Sequence, residues 1–202
     1  MNARTLFGTL LLLLASALVR AESQVPPPPP AQKAVLVTGA STGIGRKITE
    51  RLAAQGYFVY AGARKEADLA ELDAIENVQS VRLDVTKPDE IAAAVKTITE
   101  ANRGLYALVN NAGVAVSGPM MQSKDEDFQY VMDVNVYGPY RVTKAFAPLI
   151  VESQGRITTI SSISGILSGP TLGIYSMSKH AMEAFGDDFE SANLSRWSLS
   201  VP

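Results

Sequence analysis

From Ala34 onward, short apolar runs alternate with longer stretches in which apolar residues recur at helical spacing, and glycine or proline marks most of the joints. No other feature restricts the fold as much. Strands separated by helices pair in parallel, and a parallel sheet needs helical cover on both faces. The strand-like runs are 34–38, 57–62 and 78–85, then 105–113 and 156–165, the last two each with the turn that follows. Between them lie a helix over 44–56 with Ile44, Ile48 and Leu52 in phase, a short helix over 66–75, and a helix over 88–104 opened by Pro88 and closed by Gly104. A long helical stretch covers 125–155 and holds Gly138 and Pro139, so a kink is expected there. The last helix covers 175–194, and 198–202 reads as the start of a sixth strand. The fold class is therefore α/β, a doubly wound parallel sheet with helices on both faces and right-handed crossovers. Ligands of such sheets sit beyond the carboxyl ends of the strands, where strand order reverses. Chemistry is thereby expected at three turns: Gly39–Gly45, Asn110–Gly113 and Ser161–Gly165.

The first 33 residues are of another kind. An apolar run of 15 residues, Thr5 to Val19, follows one early arginine. It is shorter than the roughly 20 residues that span a bilayer. Residues 1–21 read as a signal peptide cut after Ala21, or as an uncleaved membrane anchor. Either reading makes the protein exported or membrane-anchored through residues 5–19, in a secretory, periplasmic or endoplasmic-reticulum setting, with a cytoplasmic-side anchor as a variant. Residues 22–33 form a linker whose prolines, Pro26 to Pro30, favour a stiff polyproline II spacer. Residues 34–202 form the folded domain.

Composition narrows the chemistry. Hydrophobic residues make up 47% and charged residues 19%, the balance of a globular chain. Net charge is -2 and no basic block occurs, so the electrostatic footprint of a nucleic-acid binder is missing. Cysteine is absent, which excludes disulfides, thiol catalysis and Cys-ligated zinc. His180 is the sole histidine, which excludes a multi-histidine metal site, and no spaced acidic cluster points to a carboxylate-only one. No metal is expected.

The segment TGASTGIG, Thr38 to Gly45, follows the first strand and opens a helix. Its glycines let the backbone turn tightly and approach a ligand with no Cβ in the way. The helix N-terminus beyond offers free N–H groups to a pyrophosphate. Gly39, Ser41, Thr42, Gly43, Ile44 and Gly45 are the candidate cofactor contacts of this turn. The spacing G-x-x-x-G-x-G differs from the general G-x-G-x-x-G fingerprint, and a purely structural turn is the competing reading. At the end of the second strand, an acid usually holds the ribose 2′-hydroxyl of NAD. Here the chain has Gly62, Ala63 and then Arg64. An arginine suits a 2′-phosphate, so NADP(H) is favoured over NAD(H); the alternative is a solvated loop arginine. Asp84 and Val85, closing the third strand, are candidate adenine contacts, unless Asp84 only caps a turn. Asn110, Ala112 and Gly113 of the NNAG segment would border a cofactor ribose, although Asn-rich turns also form for local hydrogen-bonding reasons.

Tyr175 and Lys179 share a helix face, and Ser162 lies 13 residues before Tyr175, just after the fifth strand. Asn135 sits three residues before Gly138. The glycine turn, NNAG, the helix asparagine, the serine pair and Y-x-x-x-K, in this order, resemble the short-chain dehydrogenase/reductase family from about Ala34 to Leu194. The resemblance implies a Rossmann-type fold, an NAD(P)-dependent oxidoreductase and a catalytic tetrad at Asn135, Ser162, Tyr175 and Lys179. The residue types suit the chemistry. Reducing a carbonyl takes a hydride, which the cofactor carries, and a proton, which the protein must give. A free phenol titrates near 10, and a neighbouring ammonium favours the phenolate. Lys179 is placed to act so on Tyr175, with its other donors on the cofactor ribose. Ser162 would bond the carbonyl oxygen as charge develops there. Ser161 is its rival, and the 13-residue gap favours Ser162. The resemblance gives Asn135 a water that links Lys179 to solvent. His180 points about 100° from the face of Lys179 and reads as a surface or packing residue. Met120, Met121, Phe128 and Tyr130 read as packing around the site entrance or core.

Members of this family continue past the sixth strand with a Pro–Gly turn, a substrate-covering segment and a last strand, whereas this sequence stops at Pro202. The expectation is an incomplete domain with its last strand or strands missing. Two functions follow: an NADP-linked carbonyl reductase or alcohol dehydrogenase acting on a steroid, retinoid or other lipid-like molecule, or a catalytically impaired NADP-binding remnant without its substrate lid. The expected partner is a small carbonyl or alcohol, with a homo-oligomer as a further expectation and no nucleic acid.

Overall fold

The computed structural model describes residues 32–191. The apolar leader, the proline run and the sixth strand expected at 198–202 lie outside the described residues. The order begins β1 (Ala34–Val37), α1 (Gly43–Ala54), β2 (Phe58–Ala63), α2 (Glu66–Asp73), β3 (Val78–Arg82), α3 (Pro88–Glu100) and β4 (Ala107–Asn110). Then α4 (Asp125–Met132) runs through a π-helical segment (Asp133–Tyr137) into α5 (Gly138–Glu152), followed by β5 (Arg156–Thr159) and α6 (Gly173–Ser191). The five strands are parallel, in the order β3-β2-β1-β4-β5. The sheet is thus doubly wound, and strand order reverses between β1 and β4.

The period of two along each strand divides the core between the faces. Leu36, Tyr60, Leu108 and Ile157 join Ile91 and Ile98 of α3 and Val142, Phe146 and Ile150 of α5. Val35, Val37, Val59, Ala61 and Val109 join Ala53 of α1 and Leu72 of α2. Phe146 and Leu72 are fully buried. Each large apolar side chain buried in this way contributes about 1.5–3 kcal/mol.

Two elements differ from expectation. β3 stops at Arg82 instead of running to Val85, because Asp84 turns the chain: its Oδ1 accepts from the N–H and the hydroxyl of Thr86 at 2.9 and 2.8 Å. The kink expected at Gly138–Pro139 is instead a π segment just before it, closed by the Gly138 N–H donating to the Asp133 carbonyl. Both residues still cause it. Pro139 has no N–H to offer the Asn135 carbonyl four residues back. Gly138 packs against Val85, where a Cβ would come within 2.6 Å of Cγ2.

Candidate active site

The carboxyl ends of β1, β2 and β4 open onto a cleft of about 330 Å³. Ser41, Thr42, Ile44 and Gly45 line it at the start of α1. Gly39 has φ +64°, and a Cβ there would lie 2.8 Å from Ala112 Cα. A Cβ on Gly45 would collide with Asn111 Nδ2 and the Gly39 carbonyl. Gly43 also has positive φ but faces open space rather than the cleft. Thr42 precedes α1 in extended conformation and its side chain does not cap the helix, so the first-turn N–H groups are left to a ligand.

The β4 turn is stitched to this floor. Thr38 Oγ1 accepts from the N–H groups of Asn111 and Ala112, both at 3.0 Å. Asn111 Nδ2 donates to the carbonyls of Thr38 and Gly39 at 2.9 and 3.0 Å. Ala112 and Gly113 line the cleft, but Asn110 does not. It is buried and shares the strand face of Leu108, and its Nδ2 donates to Thr143 Oγ1 of α5 at 2.9 Å. Asn111, which the sequence reading passed over, borders the cleft instead. Strand alternation is the signal that separates the two asparagines: Asn110 continues the buried row, and Asn111 leaves the strand.

The opposite rim is Gly62, Ala63, Arg64, Leu83, Asp84 and Val85. Arg64 is more than half exposed, with Nη1 3.9 Å from Asp84 Oδ2. Arg82 Nη1 donates to the Arg64 carbonyl at 2.6 Å, and its guanidinium pairs with Glu66. The β2–α2 turn that carries Arg64 is therefore held from β3.

A second group of residues adjoins the cleft. Lys179 Nζ donates to the Ile160 carbonyl at 2.8 Å and lies 5.7 Å from the centre of the Tyr175 ring. It also lies 3.8 Å from the point where a Cβ on Gly113 would sit, in the cleft wall. Lys179 is buried, which pushes its amine below the ordinary lysine range, while the charge of Glu183 pulls it back up. Asn135 is buried in the π segment with its amide fully engaged. Its Oδ1 accepts from the Val114 N–H at 2.8 Å, and its Nδ2 donates to the Val114 carbonyl at 2.8 Å and to Ser178 Oγ at 3.0 Å.

Ser162 opens a short 3₁₀ turn, Ile163–Gly165, and its Oγ accepts from the Ser164 N–H at 3.1 Å. Its own O–H is left to donate elsewhere. Ser161 Oγ, by contrast, is buried. Tyr175 is half-buried in the first turn of α6. None of the four residues of the implied tetrad lines the glycine-walled cleft; Asn135 and Lys179 come near it at Gly113, 3.5 and 3.8 Å from the point where a Cβ there would sit. His180 is exposed, its Nδ1 2.9 Å from the Ser176 carbonyl. Phe128 and Tyr130 are not core residues; they line a separate surface groove with Tyr137 and Arg141. Met121 is 94% exposed, and Met120 rests on Gly173 at the start of α6.

A parallel sheet with a glycine turn at its switch point defines a nucleotide-binding α/β protein of Rossmann type. A family model described as short chain dehydrogenase matches residues 33–196, and the chain belongs to that family. The mitochondrial D-beta-hydroxybutyrate dehydrogenase of Rattus norvegicus is 34% identical over 165 residues, 77% of this chain and 48% of the relative. Retinol dehydrogenase 16 of Mus musculus is 38% identical over 162 residues, 77% of this chain and 50% of the relative. The chain thus spans about half the length of the curated relatives it matches. Among solved structures, a short-chain dehydrogenase from Streptomyces avermitilis superposes with a TM-score of 0.80 at 30% identity, covering 85% of this chain and 64% of that one. An actinorhodin polyketide ketoreductase variant with NADPH gives 0.78 at 32% identity, covering 84% and 68%. A family member from Burkholderia phymatum with NAD gives 0.76 at 32%, covering 84% and 64%.

Proposed function

We propose that the chain carries the cofactor-binding and catalytic groups of an NADP-linked carbonyl reductase or alcohol dehydrogenase. The observation that carries this reading is the position of Lys179, which adjoins both the Tyr175 ring and the cleft wall at Gly113. The cleft fits a nicotinamide dinucleotide: Gly39 and Gly45 leave open the space a Cβ would fill, and the first-turn N–H groups of α1 are uncapped by Thr42. Gly39, Ser41, Thr42, Ile44 and Gly45 would hold the pyrophosphate, Asp84 and Val85 the adenine, Ala112, Gly113 and Lys179 the riboses. Arg64 would hold a 2′-phosphate, since no acid stands at Gly62 or Ala63. The NADPH and NAD held by the ketoreductase and the Burkholderia protein support a nicotinamide cofactor without choosing between them.

When bound, the dinucleotide supplies the hydride. Tyr175 gives its phenolic proton to the carbonyl oxygen, and the Lys179 ammonium stabilises the phenolate left behind. Ser162 donates its free O–H to the same oxygen as negative charge grows there. Ser161, with its buried Oγ, cannot reach a substrate. The Asn135 side chain is committed to Val114 and Ser178, so its main-chain carbonyl is the group left to hold a proton-relaying water near Lys179. Alcohol oxidation runs the same groups in reverse.

The substrate we propose is apolar and lipid-like. Ile163, Ile166 and Leu167 are exposed in the loop that carries Ser162. The name of the murine relative, a retinol dehydrogenase, agrees with this. A spectrophotometric screen with both reduced cofactors tests the reading, using steroid ketones, retinal and short polar keto acids. Faster NADPH oxidation with the apolar carbonyls is the expected outcome. A preference for NADH and short polar acids contradicts it, and NADPH binding with no turnover leaves the chain a cofactor-binding remnant. We propose also that residues 5–19 attach the protein to a membrane and that it pairs with a second copy. Carbonate washing with N-terminal sequencing, and light scattering after gel filtration, test these in turn.

A further inference from the structure

Lys179 and Glu183 stand one turn apart on α6 and address consecutive residues of the loop that leaves β5. Lys179 Nζ donates to the Ile160 carbonyl at 2.8 Å. Glu183 comes near the next residue without bonding it. Its Oε1 and Ser161 Oγ each lie 2.9 Å from the point where a Cβ on Gly165 would sit, and both are buried without a hydrogen-bond partner. One is an acceptor and the other a donor, and a buried pair of this kind flanking one point is complementary. The residue after Ser161 is Ser162.

We propose that Glu183 is a positioning residue of this site, anchoring the Ser161–Ser162 loop to α6 through the Ser161 hydroxyl and holding Lys179 in its charged form. The inference rests on reading Lys179 and Ser162 as catalytic. Burial pushes the Lys179 amine down, and Glu183 is the charge that opposes this. The other groups packed around α6 are differently placed. Asp133 of the π segment pairs with Arg141 at 2.7 Å, and Asn135 is neutral. On α4, Asp125 and Glu126 are exposed and Asp127 is half-buried. On α6 itself, Tyr175 adjoins the amine, while His180 and Asp187 are exposed.

The test is an NMR titration of the Lys179 Cε signal in the full chain labelled at lysine, assigned by its loss in Lys179→Arg. Glu183→Gln keeps the shape and removes the charge, so the Lys179 midpoint is expected to fall by about half a pH unit or more. Ser161→Ala keeps the charge and is expected to leave the midpoint in place. If Glu183→Gln fails to fold, Glu183→Asp is read instead, with a smaller fall expected from the longer separation. An unchanged midpoint in the readable Glu183 variant overturns the proposal. Because the titration needs neither cofactor nor turnover, an inactive chain still reports on Glu183, and absence of activity counts only against the enzyme reading.

Discussion

Arg64 and Lys179 each concentrate one property of the site in a single side chain. Arg64 is the cation at the cleft rim, one residue past the place where an NAD-specific site would put an acid, and its Nη1 lies 3.9 Å from Asp84 Oδ2. Arg64→Ala is expected to weaken NADPH binding by about tenfold or more while leaving NADH nearly unchanged, read by fluorescence titration of both cofactors. Equal losses for the two would remove the 2′-phosphate from the account. Lys179 gives a pH signature. Its amine titrates below the ordinary lysine value of about 10.4, so between the lowered value and that one the unfolded chain binds more protons than the folded chain. Stability therefore rises with pH across this window, by at most about 1.4 kcal/mol per pH unit, and the burial penalty is fully present below it. Lys179→Met should abolish that rise in urea melts taken at a series of pH values. At this scale the sequence was legible wherever a residue type implied its own chemistry. Gly39, Gly45 and Arg64 do line the cleft and Lys179 does lie by the Tyr175 ring, because a Cβ-free approach, a fork of donors, a phenol and an amine are properties of the residue alone, whereas Gly43 of the same turn faces open space. Asn110 and Asn111 have identical side chains and were told apart only by which way the strand turned each of them.

The π segment shows what the element scale adds. Glycine and proline at 138 and 139 announced an irregularity, and the structure resolves it as one extra residue in the turns before them. That geometry seats Asn135 so that its amide clamps both polar groups of Val114 and reaches Ser178 on α6. Asn135→Ala leaves the N–H and carbonyl of half-buried Val114 without their partner, while Ser178 Oγ keeps its bond to the Tyr175 carbonyl, and the expected loss is about 1–3 kcal/mol in urea denaturation. A loss under ~0.5 kcal/mol would mean that the loop after β4 is held by other contacts. Further along the same helical stretch, Phe146 is fully buried between α5 and the sheet. Phe146→Ala is expected to cost about 3–5 kcal/mol, measured the same way. Both elements were visible as patterns before their geometry was known, because apolar periodicity reports which residues are covered. The pairing of Asn135 with Val114 was not, since no local pattern encodes a side chain bonded to the backbone of a residue 21 positions away.

Across the described residues, the proposed function depends on two neighbouring groups meeting at one point. The glycine turn and the β4 turn come together because β1 and β4 are adjacent at the reversal of strand order. Lys179 of α6 links the loop after β5 to this place, bonded to the Ile160 carbonyl and close to Gly113. This architecture was readable from alternation alone, as a parallel sheet with helices between its strands leaves few topologies. The amine-to-loop bond at Ile160 was not readable, because it depends on how α6 is docked. The most direct test of the whole account is Tyr175→Phe, a substitution that removes one hydroxyl. NADPH oxidation with the most responsive carbonyl is compared alongside NADPH binding. The account predicts a fall in turnover of about 100-fold or more with cofactor affinity retained; a phenylalanine variant that turns over at the unaltered rate would contradict it.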